Sequence, residues 1–246
     1  MPARTSLHMV VKLALVQTVA QYIFFYIGLA HTSGVKSSII GASNVFLSIL
    51  VAVVVFHMEK LTAKKVIGCI AGFAGVVIIN LSSGSLDMNL SFLGEGFIFL
   101  SAVSYAFSSA LIKRYSENEN PVTLSGYQFL CGGILLTGFG LAMGGRISLA
   151  GLPALGLLLY MAFISAAAYT LWGILLKYNP VARVAVFGFM NPVFGVLLSA
   201  LFLGESSQAF GLTGVAALLL VCVGIMIVNG SAGTAKERSQ DELESV

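Results

Sequence analysis

The side chains that could do chemistry in this chain are neutral, and they interrupt long apolar runs. Gln17 and Gln21 are four positions apart, as are Tyr22 and Tyr26, so on helical spacing each pair shares a face. Ser101, Ser104, Tyr105 and Ser108 recur at intervals of three and four and form one polar stripe. Tyr169 and Trp172 are three apart, Asn44 stands alone, and Asn191 is followed by Pro192. Amides, hydroxyls and aromatic rings hydrogen-bond and stack without ionising. Such a set suits a hydrogen-bonding cavity with aromatic walls that holds an amphipathic small molecule. It also suits plain interhelical hydrogen bonds, or tyrosines placed at a membrane interface. The groups of covalent catalysis are missing. No acid/base pair, nucleophile elbow or phosphate loop occurs. Cys69, Cys131 and Cys222 lie within apolar runs without metal-ligand spacing, and His8, His31 and His57 have no ligand-like partner at i+3 or i+4. Neither a metal nor a cofactor is expected, and the chain does not read as an enzyme.

The elements that must position these residues follow from composition. Of 246 residues 58% are apolar and only 9% charged, with a mean hydropathy of +0.97. A soluble domain carries about 25% charged residues, so this chain reads as an all-α integral membrane protein whose partner is the lipid bilayer. Its net charge of +3 gives no reason to expect nucleic acid. A spanning helix needs about 20 mostly apolar residues. Runs of that kind lie near Met9–Ala30, Ser37–Phe56, Val66–Leu81, Gly94–Ile112, Thr123–Met143, Leu152–Leu176, Val184–Leu203 and Phe210–Val228. The third run is short and can recruit residues 63–65. The tail, residues 231–246, is polar without periodicity and reads as disordered.

Lysine and arginine set the orientation. With the N-terminus in the cytoplasm, eight spans put eleven basic residues on the cytoplasmic side and leave Lys36 and Arg146 outside. Both termini are then cytoplasmic. A cleaved signal peptide is the competing reading of the first run, but its apolar stretch is long and broken by Gln17 and Gln21.

Proline, glycine and glutamate carry further expectations. Pro192 removes one backbone hydrogen bond and predicts a kink or gating hinge. Gly68-x-x-x-Gly72 and Gly140-x-x-x-Gly144 permit close helix approach, within the chain or at a homodimer face. Glu59, Glu95 and Glu205 fall at helix ends, where solvated or capping roles are expected.

An internal repeat links pattern to function. A shift of 147 positions brings Tyr22 onto Tyr169, Phe25 onto Trp172, Lys36 onto Arg183 and Asn44 onto Asn191. After a one-residue indel Glu59 meets Glu205, and Gly75-Val-Val-Ile-Ile-Asn80 later matches Gly224-Ile-Met-Ile-Val-Asn229. The matched helices run in opposite directions, and inverted repeats are a common architecture of secondary transporters. The expected division is a three-helix unit over residues 1–81, an outside loop over 82–93 and a five-helix unit over 94–230.

Gly28-Leu-Ala-His-Thr-Ser33 and Glu59-Lys-Leu-Thr62 in the first unit resemble the end of an EamA-type domain. Tyr169-Thr-Leu-Trp172, Asn191-Pro192 and Leu203-Gly-Glu205 resemble its second copy. The resemblance is to the drug/metabolite transporter superfamily. It implies a ten-helix, five-plus-five fold that moves small metabolites, amino-acid-like compounds or drugs by alternating access, with export across a bacterial inner membrane the expected direction. Gln21, Tyr22, Asn44, Tyr105, Tyr169, Trp172 and Asn191 are the expected substrate-cavity residues, with Pro192 as hinge. Two helices of the expected ten are absent from the first unit, and Asn44-Val45 stands where the second copy has Asn191-Pro192. A start upstream of Met1, a natural truncation, and a homodimer or partner subunit supplying the missing pair are the open alternatives. The competing function is a membrane scaffold or subunit with no transport of its own.

Overall fold

The computed structural model describes residues 7–58, 60–81, 91–146, 151–181, 184 and 190–227. Among them every regular element is helical. The longer helices are α1 (Leu7–Ala30), α2 (Gly34–Val55), α3 (Ala63–Leu81), α4 (Phe92–Tyr115), α5 (Pro121–Ala142), α6 (Leu152–Tyr178), α7 (Met190–Phe202) and α8 (Leu212–Ile227). A five-residue turn of helix, Ser206–Phe210, joins α7 to α8. Within the described residues each of the eight apolar runs is therefore represented by a helix. Five of them, α1, α2, α4, α5 and α6, are long and apolar enough to cross a membrane. The early part of the seventh predicted helix, the loop over 82–90 and the tail lie outside the described residues, apart from Val184.

The helices begin and end where local chemistry requires. Ser33 caps α2 by accepting from the Lys36 amide at 3.2 Å, and Asn120 caps α5 by accepting from Val122 at 2.9 Å. Pro121 and Pro153 occupy first turns, where no backbone donor is lost. Gly144, at φ +85°, closes α5 in a conformation that side chains rarely adopt.

Packing brings α4 against α1 and α2, α7 against the first half of α2, and α5 between α1 and α6. One apolar cluster joins Ile39, Phe46 and Ile49 of α2 to Ile98 of α4 and to Val221 and Ile225 of α8. A second joins Val10 and Leu13 of α1, Ile112 of α4, Leu124 of α5 and Leu176 of α6 to Val184. It lies at the lysine- and arginine-rich ends of those helices. Gly68 and Gly72 work within the chain, since both face Gly224 of α8 and Gly72 also receives the Phe46 ring. Gly140 has a different fate. Nothing lies within 4 Å of where its Cβ would be, and its partner Gly144 serves as a helix stop.

The glutamates also differ from one another. Glu205 does cap a helix, but one that is distant in sequence: its two oxygens accept from Gly34 at 3.0 Å and Val35 at 2.9 Å at the start of α2. Glu95 is not solvated; it is 8% exposed and is held by Lys36 and by the Thr32 hydroxyl, each at 3.1 Å. Glu59 lies outside the described residues. Because the Glu205 carboxylate answers two helix-terminal donors, Glu205→Ala is expected to cost about 1–2 kcal/mol. A thermal scan of the detergent-solubilised protein checks this, and an unchanged midpoint would remove the cap from the account.

Candidate functional site

About midway along α1, α2 and α4, five helices surround a cavity of 260 Å³. α1 contributes Gln21, Tyr22 and Phe25, α2 contributes Gly41 and Asn44, and α4 contributes Ile98, Ser101, Ala102 and Tyr105. Tyr169 of α6 and Asn191 of α7 complete the wall. Six of the seven residues singled out in the sequence thus border a single space. Two of the repeat-matched pairs converge there: the Tyr22 and Tyr169 rings meet edge to face at 6.5 Å, and Asn44 and Asn191 line the same cavity.

Tyr169 is the hub. The Gln21 side-chain amide donates to its hydroxyl at 2.7 Å. Its ring also lies 6.4 Å from Tyr105 and 5.2 Å from Phe129. Tyr22 stacks on Tyr26 at 5.9 Å and directs its hydroxyl to Ser165 at 3.4 Å. No Asp, Glu, Lys or Arg is among the described lining residues, which offer amide, hydroxyl and ring faces.

Some expectations change in detail. Trp172 does not line the cavity; it stands behind Tyr105 at 5.9 Å and leans on the apolar cluster at the basic end. Ser108 donates to the backbone carbonyl of Tyr105 at 2.8 Å, the i−3 bond by which a helical serine satisfies itself locally. The stripe on α4 therefore reduces to Ser101 and Tyr105 at the cavity. Pro192 is buried near the start of the described part of α7, while residues 185–189, where its kink would act, lie outside the described residues.

Residues 2–81 and 92–230 match the EamA-like transporter family. The chain belongs to that family. An uncharacterized transporter of Bacillus subtilis, YyaM, is 25% identical over 89% of this chain and 72% of its own length. An uncharacterized transporter of Archaeoglobus fulgidus is 29% identical over 84% of this chain and 72% of its own. Protein PecM of Dickeya dadantii is 24% identical over 79% and 65%. No solved structure matches the chain significantly. As an EamA protein it is a multi-pass α-helical membrane transporter of the drug/metabolite transporter superfamily.

This EamA chain also has a larger, mainly apolar cleft of 980 Å³ between α1, α5 and α6. Tyr22 borders both spaces, and Thr18, Ser125, Ser165 and Thr170 supply the cleft's aliphatic hydroxyls. The cleft and the Phe129 contact are illegible in the sequence, because a phenylalanine and several glycines in an apolar helix carry no mark of the face they occupy.

Proposed function

We propose that this EamA protein moves small neutral or zwitterionic metabolites, amino-acid-like compounds or drugs by alternating access, with export as its direction. The observation that carries this reading is the convergence of Tyr22 with Tyr169 and of Asn44 with Asn191 on one cavity midway along α1, α2 and α4, with no charged side chain among its described lining residues. Inverted-repeat transporters build their substrate sites at the interface between repeats. The first unit is residues 1–81 and the second residues 94–230, and the two rock about the cavity with Pro192 as hinge. Gln21, Asn44 and Asn191 hold the polar part of the solute while Tyr22, Tyr105 and Tyr169 face its apolar part. Transport needs no covalent step and no cofactor.

The distribution of lysine and arginine supports cytoplasmic termini, and the bacterial relatives support the inner membrane. A cavity of 260 Å³ lies just below the roughly 300–1,000 Å³ of ordinary ligand pockets, which favours amino-acid-sized solutes over large drugs. The test is solute movement in proteoliposomes over a panel of neutral, zwitterionic and charged metabolites. Neutral and zwitterionic amino-acid-like compounds are expected to cross faster than in protein-free liposomes. Movement of none of them would overturn the proposal and leave the scaffold reading in its place.

A further inference from the structure

Between the cavity and the apolar cluster at the basic end lies a layer of buried polar side chains that the cavity does not use. Gln17 of α1 and Gln128 of α5 are both 0% exposed, and neither end of either amide has a hydrogen-bond partner. Ser109 of α4 is 1% exposed, and its hydroxyl makes no hydrogen bond. The three helices meet here, since residues 14–20 of α1 contact both α4 and α5 and Thr18 packs on Gly132, one turn from Gln128.

The order along each helix is the same. Gln17 lies one turn from Gln21 and one from Leu13; Ser109 lies one turn from Tyr105 and one from Ile112; Gln128 lies one turn from Leu124. Gln21 and Tyr105 belong to the cavity, whereas Leu13, Ile112 and Leu124 belong to the apolar cluster. Polar groups buried without partners are rare because each forfeits its hydration. In a bilayer they mark pathways and water-filled spaces. The segment that carries Gln17, Ala14–Ala20, is also wound as π-helix, as are Val51–Val55 and Phe92–Gly96, a distortion common at functional sites.

We propose that Gln17, Ser109 and Gln128 line the inward leg of the solute path, and that Leu13, Ile112 and Leu124 form the apolar plug that closes it in this conformation. The inference rests on the reading of the central cavity as the solute site. When the plug parts, the layer hydrates. Its amide N–H groups and carbonyls offer donors and acceptors together, which suits water and neutral hydrogen-bonding solutes.

Thiol accessibility tests this without any substrate, so its failure is distinct from failure of the transport reading. In a full-length background carrying Cys69→Ala, Cys131→Ala and Cys222→Ala, single cysteines replace Ser109, Gln128 and, as a lipid-facing control, Ile134, which is 72% exposed. A membrane-impermeant sulfonated methanethiosulfonate is applied from the basic side of membrane vesicles. Only a hydrated thiol forms the reactive thiolate, so S109C and Q128C should react at least about 10-fold faster than I134C. Adding Leu124→Ala to loosen the plug should speed S109C and Q128C further and leave I134C unchanged. Should Q128C fail to elute as a monodisperse species, the near-isosteric S109C carries the test. Rates no faster than that of I134C, with and without Leu124→Ala, would overturn the proposal.

Discussion

Tyr169→Ala is expected to abolish most solute movement, lowering the initial rate in proteoliposomes about 100-fold at equal protein density. The ring meets Tyr22, Tyr105 and Phe129, and its hydroxyl accepts from Gln21. Aromatic pairs contribute about 0.5–1.5 kcal/mol each beyond area burial, so removing three of them, together with the cavity wall they form, amounts to roughly 3 kcal/mol. The substitution also strands the Gln21 amide, whose oxygen already lacks a partner. Tyr169→Phe separates the contributions. It keeps every ring contact and loses only an interhelical hydrogen bond worth about 0.6 kcal/mol, so its rate should fall about threefold. Equal rates for Tyr169→Ala and wild type would show that the solute does not pass the aromatic wall.

Gly224→Val should be the most damaging single change to the fold. A Cβ at Gly224 would lie 2.6 Å from the Gly68 carbonyl oxygen and 2.7 Å from the Gly72 amide nitrogen. Both obstacles are backbone, so no rotamer change relieves them, and α3 and α8 would have to separate. Overpacking of this kind costs about 3 kcal/mol, equivalent to a midpoint lowered on the order of 10 °C. Gly133→Ala is the control, because nothing lies within 4 Å of its Cβ position. Thermal scanning of both variants in detergent checks the contrast. A Gly224→Val midpoint equal to that of Gly133→Ala would mean that α3 and α8 are not in backbone contact.

The close approach at Gly68 and Gly72 was visible as a spacing, and so was the identity of most cavity residues. Their roles were less so. Gly140 and Gly144 have the same spacing as Gly68 and Gly72, yet one faces open space and the other ends a helix. A spacing says that two small residues share a face, not that another helix comes to meet it. Ser108 looked like part of the same stripe as Ser101, but a serine in a helix can satisfy itself on its own backbone. Its place at a helix start gives Glu95 a solvated or capping role, whereas its burial depends on Lys36 and Thr32, contributed by a different segment.

What the amino-acid sequence determined by itself was the set of helices, their paired polar residues and the repeat that relates them. These are local consequences of transfer free energy: a run of apolar residues is driven into lipid as a helix, and each polar side chain left inside it needs a reason. What only the tertiary structure decided was which faces meet. Lipid tails are as apolar as leucine, so an apolar helix has no preferred inward side until close packing and hydrogen bonds select one. That selection gathers Gln21, Tyr22, Asn44, Tyr105, Tyr169 and Asn191 around one cavity and moves Trp172 behind it. It also buries Gln17 and Gln128 between that cavity and the apolar plug.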